Sequence, residues 1–194
     1  MIRRPAPALC AALCPMAGSA HHFMDNALPR TFTEGFLSGL GHPIIGLDHF
    51  AFIVACGFFL ALISRGLWGI AALLAGSLAG AALHLAGVDV PAGEAAVALS
   101  VLLVGALLVL GRSFPLRWVI AGLTIAGVLH GHAYAEAIFG AEPAPLAAYL
   151  AGFSVIQLAV ATAAYFLQRR LPPQAAIAMG AAVGAVGVVF LAGV

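Results

Sequence analysis

The chain has very little charge and no lysine at all. Of its 194 residues, 8% are charged and 63% are hydrophobic, whereas a soluble domain of ordinary composition carries roughly 25% charged residues. The eight basic residues are all arginine, and the formal net charge is +1. The shortage of charge excludes a sizeable soluble domain, and the lack of a basic patch excludes nucleic acid as an expected partner. The lipid bilayer is the expected environment.

Cysteine is scarce, and phosphate-binding loops are absent. Of the three cysteines, Cys10 and Cys14 lie near the N-terminus and Cys56 stands alone in an apolar run. No disulfide framework is therefore expected. The sequence contains no glycine-rich phosphate-binding loop, which predicts that nothing in this chain hydrolyses ATP.

The first twenty residues differ in composition from the rest. Arg3 and Arg4 precede a short apolar run, which ends in the small residues Gly-Ser-Ala that are typical of a signal-peptidase site. The run is short and interrupted by proline, so it is a poor transmembrane span. We interpret residues 1–20 as a cleaved signal peptide and residues 21–194 as one transmembrane domain. A retained N-terminal anchor is the alternative.

Six further apolar segments each come close to the ~20 residues that a helix needs to cross a bilayer. Short connectors between them predict antiparallel neighbours, so the predicted fold is an all-α polytopic membrane helix bundle. Residues 31–41 are predicted to form an amphipathic or re-entrant lead-in, broken at Gly41-His42-Pro43 because proline limits helix continuation. The six predicted spans cover residues 44–63, 67–87, 94–111, 117–138, 146–168 and 174–194.

Most of the arginines fall in one set of connectors. The connectors after the second and fourth spans carry Asp89 and Glu142 but no basic residue. The positive-inside rule then predicts that the arginine-bearing connectors are cytoplasmic and that both mature termini lie outside. The expected location is the inner (cytoplasmic) membrane of a bacterium. The connectors after the first, third and fifth spans carry Arg65, Arg112, Arg117, Arg169 and Arg170.

Glycines at GxxxG spacing recur along the chain. Small residues at this spacing let the backbones of neighbouring helices approach closely. Together they predict a compact bundle, while the number of chains in a homo-oligomer stays open. The pairs are Gly35/Gly39, Gly76/Gly80, Gly127/Gly131 and Gly180/Gly184.

Two histidines and an aspartate stand close together at the start of the first span, in 42-HPIIGLDH-49. His42 and His49 are seven residues apart, so a continuous helix would stack them on one face, two turns apart. Pro43 suits the first helical turn and would leave His42 at the cap. Asp48 is suited to bind a metal or to orient an imidazole. These three polar side chains are predicted to be metal ligands.

His130 is predicted to lie at a similar depth in the fourth span. It is 13 residues from the inner boundary predicted at residue 117, and His49 is 14 residues from the boundary at residue 63. Both histidines are then roughly 20 Å above the cytoplasmic edge. Ionisable groups near a helix centre cost about 2.5–3.5 kcal/mol and normally face the bundle interior or water. We therefore predict His130 to be a further metal ligand.

Other ionisable side chains are concentrated toward the same side of the membrane. His132 and Glu136 share a helix face, and with Glu94 at the start of the third span they are predicted to bind metal on its way to the deeper ligands. Each also has a structural alternative, as a helix–helix contact or a solvated group. Candidates for metal capture outside the membrane are His21, His22, His84 and Asp89.

The stretches 42-HPIIGLDH-49 and 130-HGHAYAE-136 resemble the HupE/UreJ family of nickel and cobalt permeases. The first matches the family's HPxxGxDH motif position for position, and the likeness continues through 91-PAGEAAVALSVLLVG-105 and 139-FGAEPAPLAAYLAGF-153. Many members have an HxHxHGxE-like pattern in the fourth span. This chain has Tyr134 in place of one histidine, and its glutamate comes one residue earlier.

The resemblance implies uptake of Ni²⁺ or Co²⁺ for metalloenzyme assembly by a secondary transporter, with no enzymatic activity and no permanently bound cofactor. Imidazole and carboxylate ligands without thiolates suit both ions and disfavour Cu⁺, although Zn²⁺ fits the same ligands. The alternative is an intramembrane zinc-dependent hydrolase, in which these ligands activate water and Glu136 is the base. A purely structural subunit would leave the polar residues unexplained.

Overall fold

The structure, a computed structural model, describes residues 28–91, 93–112 and 114–194. Within these ranges it contains seven helices and no strand. The predicted signal peptide, His21 and His22 lie outside the described residues. The predicted all-α polytopic membrane bundle is confirmed. The helices are α1 (Phe32–Ile45), α2 (Leu47–Ala61), α3 (Leu67–Leu85), α4 (Gly93–Leu110), α5 (Leu116–Glu136), α6 (Pro143–Gln168) and α7 (Pro173–Leu191).

Helices α3 to α7 are each long and apolar enough to cross a membrane, and α1 with α2 passes the same test as a bent pair. Each of α3 to α7 begins and ends within three residues of a predicted span. The agreement follows from composition, because glycines, prolines and charges interrupt the apolar runs at the points where the helices end.

The apolar stretch from Phe32 to Ala61, which contains most of the predicted first span, is broken in its middle. Helices α1 and α2 meet at Gly46 with a bend of 78°, and Gly46 itself has an extended backbone (φ −69°, ψ 103°). The break predicted at Gly41-His42-Pro43 is wrong, because α1 runs through this tripeptide. Packing explains the difference: Gly35 and Gly39 of α1 lie directly against the α6 backbone and hold the helix together past the proline.

The bend also corrects the predicted geometry of the first motif. His42 belongs to α1 and His49 to α2, so the two do not stack on one face of a continuous helix. Pro43 lies in the last turn of α1, not in the first turn of a span, and His42 is not a cap residue. The two imidazole rings still lie near each other, with centroids 5.9 Å apart. The chain brings them together by bending.

Helix α2 is central in the bundle. Ten of its fifteen residues are buried, and it packs against α4, α6 and α7. A helix that is apolar and buried on nearly all sides lies inside a protein and does not form a lipid-facing surface. Cys56, the free cysteine among the described residues, is buried on this helix.

Helices α3 and α5 run side by side with their backbones in contact. Gly76 and Gly80 of α3 lie against the backbone of α5, and Gly127 and Gly131 of α5 lie against the backbone of α3. Helices α1 and α6, and α4 and α7, also pack through glycine. The predicted close approach at GxxxG pairs is therefore observed. At Gly184 the backbone lies against Gly105 of α4, although a Cβ atom built on Gly184 would itself face open space.

The two ends of the bundle carry different charges. The end where α3 and α5 finish has Asp89 and Glu142 in its loops, and we call it the acidic end. His130 is 14 residues beyond Leu116 on α5, or about 21 Å at 1.5 Å per residue, and so lies nearer the acidic end. The opposite end, called the arginine end, carries Arg65, Arg112, Arg117, Arg169 and Arg170.

Candidate functional site

Two histidines from different helices meet inside the bundle, and we call them the histidine pair: His49 of α2 and His130 of α5. Their Nδ1 atoms are 3.0 Å apart. His130 is completely buried and His49 is 8% exposed. Since the residues are 81 positions apart in sequence, only the packing of α2 near α5 brings them together.

The hydrogen bonds around the pair are consistent with two neutral imidazoles. The Ser100 hydroxyl of α4 lies 2.7 Å from the Val97 carbonyl and 2.8 Å from His130 Nε2. When the hydroxyl donates its one hydrogen to the carbonyl, Ser100 Oγ accepts from His130 Nε2–H. His130 Nδ1 then has a lone pair that accepts from His49 Nδ1–H, 3.0 Å away. Both imidazoles are neutral in this arrangement, the state in which histidine binds metals.

The spacing of the histidine pair suits a metal ion as well as a hydrogen bond. Two nitrogens that bind one ion at roughly 2.0–2.1 Å are about 2.9–3.4 Å apart for coordination angles between square and tetrahedral. The 3.0 Å between the two Nδ1 atoms falls in this range. Both Nδ1 atoms become ligands if the His49 proton moves to its own Nε2. Ser100 already holds His130 by its other nitrogen, as outer partners of metal-bound histidines do.

Aromatic side chains enclose the histidine pair. The Phe52 ring stacks on the His130 ring with centroids 3.9 Å apart. The Tyr134 ring lies 4.6 Å from that of His49 and 5.4 Å from that of His42. Tyr134 is fully buried, and its hydroxyl has no hydrogen-bond partner among the described residues. A buried hydroxyl is normally paired, so this one marks a place where a ligand or water is expected.

His42 and Asp48, the other two predicted ligands of the first motif, lie beside the histidine pair. Together with the pair they do not form a single four-residue metal site. His42 Nδ1 is 3.0 Å from the Tyr149 hydroxyl, which donates to the Tyr134 carbonyl at 2.8 Å. Asp48 is half-buried in the first turn of α2. Among the described residues, no three of the ligand atoms of His42, Asp48, His49 and His130 lie within 4.8 Å of one another.

A second group of potential ligands does converge, at the acidic end of the bundle. His84 of α3, Asp89 of the following loop and His132 of α5 have ligand atoms that all lie within 4.8 Å of one another. Within the described residues this is the one set of three or more that meets this distance. We call it the His84 cluster. His132 is buried, His84 is half-buried and Asp89 is exposed.

The two glutamates that were predicted to bind metal, Glu94 and Glu136, belong neither to the histidine pair nor to the His84 cluster. Glu136 follows His132 by one turn, with its Oε1 3.8 Å from His132 Nδ1, and its side chain is 55% exposed. Glu94 is exposed in the first turn of α4. No hydrogen bond or ion pair within the described residues involves Glu94.

Three residues at the site were not among the predicted ligands. All three stand in segments that resemble the HupE/UreJ family: Ser100 in residues 91–105, Tyr134 in residues 130–136 and Tyr149 in residues 139–153. The sequence contains one indication of their role, since each is a polar or phenolic side chain in an otherwise apolar span. The sequence does not show the direction in which each side chain points, because that depends on helix packing.

Comparisons with known proteins agree with the resemblance seen in the motifs. The family described as HupE / UreJ protein matches residues 9–191. "Protein HupE" of Rhizobium leguminosarum bv. viciae is 31% identical over 103 residues, which make up 52% of this chain and 54% of that protein. The match thus spans about half the length of the curated relative. No solved structure matches the chain.

Proposed function

Because this chain belongs to the HupE/UreJ family, we propose that it is a permease that imports Ni²⁺ or Co²⁺ across the inner membrane of a bacterium. The mature N- and C-termini lie outside, the arginine end faces the cytoplasm, and the acidic end receives the ion. The signal peptide is removed before the protein acts. The ion is cargo, and the ligands release it again.

The observation that carries this proposal is the histidine pair. Two neutral imidazoles buried among apolar helices have lost their contact with water, a cost that membrane proteins normally bear where polar groups serve ion passage. The Nδ1 atoms of His49 and His130 are already at a separation that one metal ion can bridge. No thiol takes part, since Cys56 is the free cysteine of the described residues and lies further along α2. Nitrogen and oxygen ligands favour Ni²⁺ and Co²⁺ over Cu⁺.

The remaining polar groups complete the transport site in our proposal. Asp48 supplies a carboxylate and His42 a third imidazole, each with a small movement at the Gly46 bend. The Tyr134 hydroxyl, which has no partner in the described part of the chain, bonds to a water or hydroxide that the ion retains. Glu94 and Glu136 attract the hydrated cation toward the acidic end by charge.

The inward route from the pair is apolar. A cleft of roughly 310 Å³ lies between α2, α4 and α5. It begins at Ser100 and Phe52, which both contact His130, and reaches Phe114 and Trp118 near the arginine end. A divalent ion does not stay in such a lining, because burying an unpaired charge is costly. Release into the cytoplasm therefore requires a conformational change in which the stacked Phe52 and His130 rings separate.

The test is metal uptake by purified protein reconstituted in lipid vesicles. We expect vesicles with the protein to accumulate Ni²⁺ or Co²⁺ at least about 10-fold faster than empty vesicles, down the ion gradient and without ATP. Zn²⁺ measured in parallel gives the selectivity. Hydrolysis of lipid or peptide by the zinc-loaded protein, without metal uptake, would contradict the permease and support the hydrolase alternative.

Tyr134→Phe is expected to raise thermal stability and lower uptake at the same time. The substitution removes a buried hydroxyl that has no hydrogen-bond partner within residues 28–91, 93–112 and 114–194, which relieves about 1–3 kcal/mol of desolvation cost. Uptake falls about 10-fold if the hydroxyl serves the bound ion. The measurements are the melting temperature in detergent and the initial uptake rate. Tyr165→Phe, which removes a hydroxyl bonded to Arg169 near the arginine end, is the control, and equal uptake by wild type and Tyr134→Phe would contradict the assigned role.

A further inference from the structure

We propose that the His84 cluster is a second divalent-metal site, separate from the histidine pair and accessible from the acidic end. It takes Ni²⁺, Co²⁺ or Zn²⁺ through two imidazoles and one carboxylate. That it binds metal follows from its own geometry. That it loads the ion for transport rests on the proposed function.

The nitrogens of the cluster already have the separation of ligands to one ion. His84 Nδ1 is 3.2 Å from His132 Nε2, within the range of about 2.9–3.4 Å for two nitrogens on a shared ion. A carboxylate oxygen of Asp89 lies within 4.8 Å of both. The Val88 carbonyl oxygen accepts from His132 Nε2–H at 2.9 Å. When that proton moves to His132 Nδ1, Nε2 becomes a ligand and the carbonyl oxygen adds a fourth possible one. Imidazoles and oxygens without sulfur are the donor set that Ni²⁺, Co²⁺ and Zn²⁺ accept.

The local fold holds these ligands in place. Helix α3 ends with two reversed hydrogen bonds, from Gly87 N–H to the His84 carbonyl and from Val88 N–H to the Leu83 carbonyl. This is a Schellman ending, and it requires the positive φ of Gly87, 79°. The chain therefore turns back over the end of α3 and carries Asp89 to His84. Close packing of α3 on α5 through glycine then brings His84 to His132.

Burial distinguishes this cluster from a chance meeting of surface groups. His132 is only 5% exposed, while Asp89 is exposed to the surroundings, so the cluster has a protein side and an open side. Glu136 lies on the far side of His132, with its Oε1 3.8 Å from His132 Nδ1. This distance is longer than a hydrogen bond, so the carboxylate acts on the cluster through its charge.

The cluster is distinct from the histidine pair, although both use α5. His130 and His132 are two residues apart, so their side chains point about 200° apart around the helix. One faces α2 and α4, and the other faces the end of α3. One metal ion therefore cannot bind His130 and His132 at the same time. The structure thus predicts two bound ions per chain.

Equilibrium dialysis of the full chain against Ni²⁺ alone tests this inference. His21→Ala and His22→Ala are introduced throughout, so that the N-terminal histidines do not contribute. We expect two ions per chain, and we expect Asp89→Asn and His84→Ala each to weaken one of them at least about 10-fold. His49→Ala removes the other ion. Glu142→Gln, which changes the exposed acid in the other loop of the acidic end, is the matched control and retains both ions.

The outcomes separate the site from the transport function. The second site is excluded if the chain still binds two ions after Asp89→Asn and after His84→Ala. It is also excluded if the chain binds a single ion and that ion depends on His49 alone. Two ions with the expected losses, but no uptake into vesicles, leave the site standing and remove the proposed function. Asp89 is exposed in a turn, so Asp89→Asn keeps the test valid if His84→Ala does not fold. In vesicles that do transport, Asp89→Asn is expected to raise the KM for uptake at least about 10-fold.

Discussion

His49→Ala and His130→Ala are each expected to reduce Ni²⁺ or Co²⁺ uptake at least about 100-fold. Each substitution removes one of the two buried nitrogens that lie 3.0 Å apart, and a lone imidazole holds the ion far more weakly. Loss of an outer partner alone typically costs about 10–100-fold in metal affinity, so loss of a direct ligand costs at least as much. Initial uptake rates in vesicles, normalised to the amount of folded protein, give the result.

A graded series makes this prediction more specific. Ser100→Ala removes the group that accepts from His130 Nε2 at 2.8 Å, and uptake is expected to fall about 10-fold. Ser154→Ala is the matched control, because Ser154 donates only to the Leu150 carbonyl of its own helix. Its uptake stays close to that of the wild type. Equal rates for wild type, His49→Ala and His130→Ala would exclude the histidine pair from the transport route.

Gly131→Ala is expected to lower the yield of folded protein sharply. A Cβ atom at this position would collide with the backbone of Ser77, which cannot move without the whole of α3. Overpacking of this kind typically lowers the free energy of unfolding by about 1–3 kcal/mol. We expect a value near the upper limit of this range, because the collision is with the backbone. The displacement of α3 would also separate His84 from His132. Thermal melting in detergent and the monodisperse yield are the measurements.

Gly122→Ala is the control on the same helix. No atom lies within 4 Å of a Cβ built at Gly122, so the added methyl group fits and the helix gains about 0.5–1 kcal/mol from reduced backbone freedom in the unfolded chain. The two substitutions are chemically identical and differ only in what surrounds them. If Gly131→Ala melts at the same temperature as Gly122→Ala, the close contact of α3 and α5 is not as described.

Much of the architecture was predictable from composition. Apolar runs close to the length of a bilayer crossing gave the helices, and the interruptions at Gly111 and Pro172 coincide with observed helix ends. The glycine spacing at Gly76 and Gly80 indicated where backbones touch. These features depend on local sequence and on the thickness of a membrane, and neither needs the tertiary structure.

The sequence positions of His49 and His130 also predict that both side chains lie at the same level of the bundle. Equal distances from the arginine-bearing ends place residues of parallel or antiparallel helices at the same level, but they do not say which faces meet. The sequence therefore predicted a common level for the pair, but not the contact of Nδ1 with Nδ1 or the bond from His130 to Ser100.

The sequence did not predict where the break between α1 and α2 lies or that the members of the His84 cluster converge. A proline suggested a break at Pro43, yet the packing of α1 on α6 moved it to Gly46. His84 and Asp89 were predicted as candidates for metal capture, but nothing local indicates that the turn at Gly87 returns Asp89 to His84. Both features depend on contacts between residues that are far apart in the sequence. Residue spacing and hydropathy do not predict such contacts.

The bend at Gly46 has an electrostatic consequence for any cation held beside it. Helix α1 finishes there with the negative end of its dipole, equivalent to about half a negative elementary charge, and α2 starts there with the positive end of its dipole, equivalent to about half a positive one. A dication near Gly46 is attracted by the first dipole and repelled by the second. Asp48 stands in the first turn of α2, where its carboxylate cancels the repelling pole. Asp48 therefore assists the cation even without touching it, and Asp48→Asn removes that compensation while preserving the shape of the side chain.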